Sequence, residues 1–315
     1  MAKSVGDKIG QAEYATLYTE VSNILGTPVN VTDDTTAYGW NVTPASSSVS
    51  VGDKVTAADW NNLRTDIVNT YDHIANSTTT SPVISTLSSG DAITATQYNN
   101  METISTFNYA NRFTAHSTHL TSSTGLTATQ TATWNGTKTL SVTATWTSLA
   151  HKLQFWNAGG KLRFSFSGSN AGAGNKDQDW LGALNGFGTA DLTATNFSTT
   201  GPASTVNTTR DAYYLFGNSD ASTILTLITM NLSDINPAYS QYDENYLLVK
   251  AYHVSDTQMT FQFQVVDADT GDQTGIGPAV DEDITVDVTG TITVLTPNSL
   301  AVSVAAPSFS SGGWA

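Results

Sequence analysis

Apolar residues recur at helical spacing at three places in the first 113 residues. Each place opens with a related phrase: GDKIGQAEYATL at 6–17, GDKVTAADWNNL at 52–63 and GDAITATQYNNM at 90–101. The spacing predicts three amphipathic helices of about three to five turns. The residues expected to pack or dock these repeats are Ile9, Tyr14 and Leu17, then Val55, Thr56, Trp60 and Leu63, then Ile93, Thr94, Tyr98 and Met101.

Each of the two clearer copies carries a signal for where its helix begins. Thr56 with Asp59, and Thr94 with Gln97, have the spacing of a capping box, in which two side chains three residues apart bond each other's backbone amides. The first copy has Gly10 at the cap position, which is a weaker cap than threonine. The phrase therefore predicts a tight Gly-Asp turn followed by a capped helix.

Helices of this length do not bury their apolar stripes alone, so the three must pack against something. Two alternatives follow. The helices form a small bundle within the chain, or they form a module that docks the chain onto another protein. The sequence leaves both open, and in neither case are the repeats catalytic.

From about residue 129 the apolar period changes to two, which indicates β-strands. Residues 131–146 (TATWNGTKTLSVTATW) predict a hairpin turning at Asn135-Gly136, and residues 151–169 (HKLQFWNAGGKLRFSFSGS) predict a second hairpin. One helix is expected at 176–188 (KDQDWLGALNGFG). Further strands are expected at 213–217, 222–230, 245–254, 258–267, 284–295 and 300–305.

Together these patterns predict an α+β fold with two domains. Residues 1–113 form three helical repeats for assembly or docking, and residues 114–128, rich in small polar side chains, form a linker. Residues 129–315 form an antiparallel β-sandwich or jelly-roll-like domain with one inserted helix.

The charge of the chain narrows the choice of partners. Its 315 residues carry a net charge of −15, so it lacks the positive field needed to bind nucleic acid or an anionic membrane. Cysteine is absent, which excludes disulfides and thiolate metal sites. The N-terminal MAKSVGDKIG contains no apolar leader, so we expect synthesis in the cytoplasm without a signal peptide.

Few residues suggest a reaction. The sequence contains no G-x-S-x-G, P-loop, H-E-x-x-H or dinucleotide-binding signature, so we do not expect an enzyme. The run holding Asp267, Asp269 and Asp272 resembles the front of a calcium loop but lacks the distal glutamate of an EF-hand. We favour a solvated turn for this run, with Ca²⁺ binding as the alternative, and expect no other metal or cofactor.

Several phrases resemble virion structural proteins of marine tailed bacteriophages, especially T4-like cyanophages. In those proteins, short helices opening with GD-x-[IV]-T-A precede a β domain, and Gly10 departs from that pattern. The phrases are VGDKVTAADWNNLRTDIVN (51–69), SVGDKIGQAEYATLYTEVSNILGT (4–27), KLQFWNAGGKLRFSFSGSNAGAGNKDQDW (152–180), DEDITVDVTGTITV (281–294) and SVAAPSF (303–309).

The resemblance implies a non-enzymatic virion component, such as an appendage, fibre, neck or decoration protein. It implies docking on other virion proteins through the repeats, often as a homo-oligomer such as a trimer. The first alternative is a carbohydrate-binding adhesin that recognises host surface glycans, and a polysaccharide-degrading spike is the second. Aromatic rings that would stack on sugars in the adhesin are Trp156, Tyr213, Tyr214, Tyr239 and Tyr242.

Overall fold

The computed structural model describes residues 3–4, 9–28, 39–201, 205–206, 225–235, 244–269 and 282–315. Within them the fold is α+β. The helices are α1 Gln11–Leu25, α2 Ala57–Ala75, α3 Ala95–Ala110, α4 Leu149–Asn157, α5 Asn175–Gly186 and α6 Leu232–Ile235. The strands are β1 Leu120–Gln130, β2 Thr137–Thr145, β3 Lys161–Ser169, β4 Ala190–Leu192, β5 Phe197–Thr199, β6 Thr205–Val206, β7 Leu225–Asn231, β8 Tyr246–Ser255, β9 Gln258–Val266, β10 Asp287–Pro297 and β11 Ser308–Trp314.

The first three helices bury their apolar stripes in the chain's own core. Six of the predicted packing residues are at most 3% exposed, and each such burial contributes roughly 1.5–3 kcal/mol before the entropy cost. These six are Tyr14, Leu17, Trp60, Leu63, Tyr98 and Met101. None of the described helices is long and apolar enough to cross a membrane.

The strands form two sheets in which every pair is antiparallel. One sheet has the order β1-β10-β3-β4-β5, and the other has the order β11-β2-β9-β8-β7-β6. Their apolar faces meet, because the ring of Phe164 on β3 lies 5.1 Å from that of Phe261 and 5.8 Å from that of Phe263, both on β9. Gly290 on β10 lets the sheets approach, since a β-carbon there would come within 3.1 Å of Leu140 on β2.

The first predicted hairpin is wrong. Its second strand exists as β2, but residues 131–136 form no strand, and β1 lies in the other sheet, paired with β10. Where the chain passes from one sheet to the other, between β1 and β2, Trp134 holds it in place. Its backbone pairs with Ile284, and its indole N–H donates to the Val286 carbonyl at 3.2 Å. The predicted linker at 114–128 is also corrected, because β1 begins within it at Leu120.

The second predicted hairpin is wrong in its first half, where the chain forms α4. Ser148 caps this helix by accepting a hydrogen bond from the His151 amide at 3.1 Å. Gly159, at φ +84°, ends it, and the Gly160 amide donates to the Phe155 carbonyl at 2.8 Å. This is a Schellman end, so the Asn-Ala-Gly-Gly sequence stops a helix rather than turning a hairpin.

The remaining strand and helix predictions have mixed outcomes. The β region contains α4, α5 and α6 rather than one inserted helix, and the closing strand is β11 rather than 300–305. The helix expected at 176–188 is α5, and β7 to β10 fall where strands were expected. The strand expected at 213–217 lies outside the described residues.

Candidate functional site

The repeated Gly-Asp phrase begins with a turn that only glycine makes easily. Gly52 has φ +97° and Gly90 has φ +93°, and in each copy the following aspartate amide donates to the carbonyl three residues earlier at 3.1 Å. These are the features of a type II turn, whose third residue needs a positive φ. Both turns are exposed, and Val51 beside the first is 91% exposed.

The two predicted capping boxes are confirmed. Thr56 Oγ1 accepts from the Asp59 amide at 3.2 Å, and Asp59 Oδ2 accepts from the Thr56 amide at 2.9 Å. Thr94 and Gln97 exchange the same pair of bonds at 3.2 and 2.8 Å. Val55, Ile93 and Ile9 lie partly buried against the core beside these helix starts.

The first repeat replaces its missing threonine with a charged contact. Glu13 Oε2 accepts from the Gly10 amide at 2.9 Å, and Glu13 Oε1 accepts from Lys3 Nζ at 2.7 Å. The hydrogen bond from Lys3, and then the one from the Gly10 amide, lower the pKa of Glu13 to about 2. The carboxylate therefore supports the start of α1 even though Gly10 offers no side chain.

A feature that the sequence analysis missed connects the repeats to one another. Asn61 bonds both backbone groups of Leu87, accepting from its amide at 3.0 Å and donating to its carbonyl at 2.8 Å. Asn99, at the equivalent position, bonds both backbone groups of Lys3 at 2.8 and 2.9 Å. We call these paired bonds the asparagine clasps. Their signal was visible in the sequence as the Asn-Asn pair shared by both copies.

The clasps arrange the three repeats in a ring. The second repeat binds the residue three before the Gly-Asp of the third, and the third binds the residue three before that of the first. The first repeat closes the ring through Gln11, whose side chain donates to the Val49 carbonyl at 3.0 Å. Each contact joins the start of one helix to the segment that leads into the next helix. Farther along, Ser105 on α3 bonds Glu20 on α1, and Asn108 on α3 bonds the Ile67 carbonyl on α2, so the three helices run in the same direction.

We expect the clasps to contribute measurably to stability. Asn61→Ala should lower the free energy of unfolding by about 1–3 kcal/mol, because both backbone groups of the buried Leu87 lose their partner. The neighbouring exposed residue provides a matched control, and Asn62→Ala should change it by less than about 0.5 kcal/mol. Urea unfolding of the three proteins checks the prediction, and equal costs for both variants would contradict it.

The opposite end of the helical bundle is attached to the β region. Trp40 donates its indole N–H to the carbonyls of Arg112 at 3.0 Å and Asn157 at 2.8 Å, and its ring lies 4.6 Å from that of His73. His73, in the last turn of α2, bonds Ser299 and the Ala158 carbonyl, each at 2.9 Å. The Gly-Asp turns at 52–53 and 90–91 therefore lie at the end of the bundle that faces away from the β region, while Gly6 and Asp7 of the first repeat lie outside the described residues.

A buried charged cluster lies at the first turn of α5. Lys176 Nζ is 2.9 Å from Asp267 Oδ2 and 3.8 Å from Asp269 Oδ2, and these three side chains are 0–6% exposed. The solvated turn favoured for this run is thus wrong for Asp267 and Asp269, while Asp272 lies outside the described residues. Calcium binding there stays a prediction. In the described part of the chain, no group of three or more histidine, aspartate or glutamate side chains is arranged to hold a metal ion.

The aromatic residues considered for sugar stacking are only partly described. Trp156 is fully buried, so it cannot stack on a sugar, and this candidate was wrong. Tyr213, Tyr214, Tyr239 and Tyr242 lie outside the described residues. The adhesin alternative therefore loses one of its five candidate rings.

No protein-family model matches the chain, and no curated protein or solved structure matches it.

Proposed function

We propose that the chain is a non-enzymatic structural component of a bacteriophage particle, of the appendage, fibre, neck or decoration class. It docks on other virion proteins through the free end of the helical bundle and projects the β region outward. The observation that supports this proposal is the ring of three parallel repeats, which has the two described Gly-Asp turns, at 52–53 and 90–91, at the end farthest from the β region.

The burial of the apolar stripes decides which residues make the docking surface. Tyr14, Trp60 and Tyr98 lie in the chain's own core and are not available to a partner. The docking surface consists instead of the exposed turns, 51–54 and 88–92 among the described residues. Two turns of the same backbone conformation, at equivalent positions of two repeats, suit a partner that is itself repeated.

The β region belongs to the β-sandwich, jelly-roll-like class, which is supported by two antiparallel sheets that meet through apolar faces. The chain is made in the host cytoplasm, functions in the virion and acts as a homo-oligomer, with a trimer as the expected form. Because of its net charge of −15, we expect neither nucleic acid nor a membrane among its partners.

Incorporation into particles tests the docking surface. A charge at the exposed turn, Val51→Glu, should reduce the amount of full-length chain in purified particles at least tenfold, because it disturbs a contact made only at this end. Val254→Glu is the matched control, since Val254 is 47% exposed on β8 in the β region, and it should be incorporated normally. Quantitative mass spectrometry of particles grown without the wild-type chain gives the readout.

Two results would count against the proposal. Normal incorporation of Val51→Glu would show that docking does not use this turn. Absence of the wild-type chain from purified particles would remove the virion assignment altogether.

A further inference from the structure

The charged cluster at α5 carries an inference that is independent of the proposed function. Lys176 and Asp267 are among the least exposed charged side chains described, at 2% and 0%, and their Nζ and Oδ2 atoms are 2.9 Å apart. Lys176 Nζ also donates to the Glu282 carbonyl at 2.9 Å. An amine and a carboxyl group are thus held in contact out of reach of water.

Backbone contacts hold both partners in place. The Asp267 amide donates to the Gly136 carbonyl at 3.0 Å, and the Asp269 amide donates to Asn245 Oδ1 at 3.1 Å. On the other side, Lys176 is followed by Asp177, which accepts from the Thr285 amide and hydroxyl at 2.8 and 2.7 Å. Such fixed proximity raises the rate of a reaction between two groups far above that in solution.

The surroundings favour the uncharged forms that would react. Trp180 lies one turn along the same face of α5, and its ring is 5.0 Å from that of Trp134. Burial penalises both ions of a salt bridge, and the attraction between them often fails to offset that cost. An amide would remove both charges and retain an N–H for the Glu282 carbonyl.

We infer that Lys176 and Asp267 join in an intramolecular isopeptide bond. Transfer of a proton from the ammonium to the Asp267 carboxylate leaves a neutral amine and a carboxylic acid. The amine nitrogen attacks Cγ of Asp267, forming the new C–N bond, and gives a proton to the carboxylate of Asp269, whose Oδ2 lies 3.8 Å from Nζ. Asp269 returns this proton to the departing hydroxyl, the C–O bond breaks and one water leaves. No oxidant or other reactant is needed.

The intact mass of the purified full-length chain tests the bond directly. Loss of one water lowers the mass by about 18 Da, and denaturation does not reverse it because the bond is covalent. Trypsin would no longer cut after Lys176, so residues 164–210 would remain joined to residues 251–315, which contain no lysine or arginine. The unmodified mass, or a loss of water without this joined peptide, would overturn the inference and leave an ordinary buried ion pair.

Three variants test which side chains the reaction needs. Lys176→Arg keeps a positive charge but has no amine that forms this amide, so the full calculated mass is expected. Asp269→Asn should leave at least half of the chains unjoined, and complete joining would remove Asp269 from the mechanism. Lys152→Arg is the matched control, because Lys152 is also buried, at 3% exposed, and it should retain the loss of water.

Discussion

Replacing Trp40 with alanine should lower the free energy of unfolding by about 3–5 kcal/mol, the range for removing a large aromatic side chain from a core. Trp40 is fully buried where the helical bundle meets the β region. Its loss would leave a cavity beside His73 and remove the shared donor from the carbonyls of Arg112 and Asn157. Urea unfolding followed by circular dichroism measures the effect.

Trp40→Phe distinguishes the contribution of the aromatic ring to stability from that of its two hydrogen bonds. It keeps much of the apolar contact and loses the N–H, so we expect a smaller cost of about 1–3 kcal/mol. Because Trp40 joins the two regions, Trp40→Ala should also allow the bundle to unfold at a lower urea concentration than the sheets. A cost below about 1 kcal/mol for Trp40→Ala would show that the junction contributes little to stability.

Acid should weaken the same junction through His73. Burial is the main cause that lowers the pKa of His73; the hydrogen bond to the Ala158 carbonyl opposes it and the nearby His119 adds to it, so that the pKa falls from 6.5 to about 4. Nε2 faces that carbonyl, so it carries the proton, and Nδ1 accepts from the Ser299 hydroxyl. The folded chain therefore holds a neutral imidazole.

The sign of the pH effect follows from the lowered pKa. Between pH 6.5 and about 4 the unfolded chain binds a proton at His73 that the folded chain does not, so the free energy of unfolding falls as the pH decreases. The contribution is complete above pH 6.5 and is lost by about pH 4, a total of about 3 kcal/mol. NMR titration of the His73 ring gives the pKa directly.

A second measurement isolates this contribution from the titration of acidic groups. In His73→Gln, the difference in unfolding free energy between pH 7 and pH 4 should be smaller than in the wild type by about 3 kcal/mol. His73 titrating above pH 6 in the folded chain, or equal pH dependence in both proteins, would refute the prediction.

The helical region was largely predictable because its signals are local. A type II turn and a capping box are encoded within a few residues, so Gly52, Thr56 and Asp59 specify the start of α2 without distant contacts. The segment that forms α4 was ambiguous, since Leu153 and Phe155 fit an alternating pattern while Ser148 and Gly159 mark helix ends. End signals decide such cases better than a short apolar period.

Contacts between distant parts of the chain could not be predicted from the sequence. The pairing of β1 with β10, and the meeting of Lys176 with Asp267, depend on how two sheets and a helix pack, which no local pattern encodes. For the same reason the acidic run looked like a solvated turn. The asparagine clasps were predictable only in part, because the repeated Asn-Asn pair is visible in the sequence but the residues that Asn61 and Asn99 bind are not.

The pairing of β1 with β10 also means that, during synthesis, β1 is made long before the strand it pairs with. β1 ends at Gln130 and its partner begins at Asp287, so at 5–20 residues per second β1 waits about 8–30 s for that partner. Its sequence, LTSSTGLTATQ, has neither charge nor proline, and its pairing with β10 is interrupted by a register shift between Thr124 and Leu126, the kind of irregularity that protects an exposed edge from pairing with other chains. The contacts within the helical bundle, by contrast, need only the chain up to the end of α3 at Ala110. We therefore expect the bundle to fold before the sheets, with Trp40 and His73 at the end on which the β region later packs.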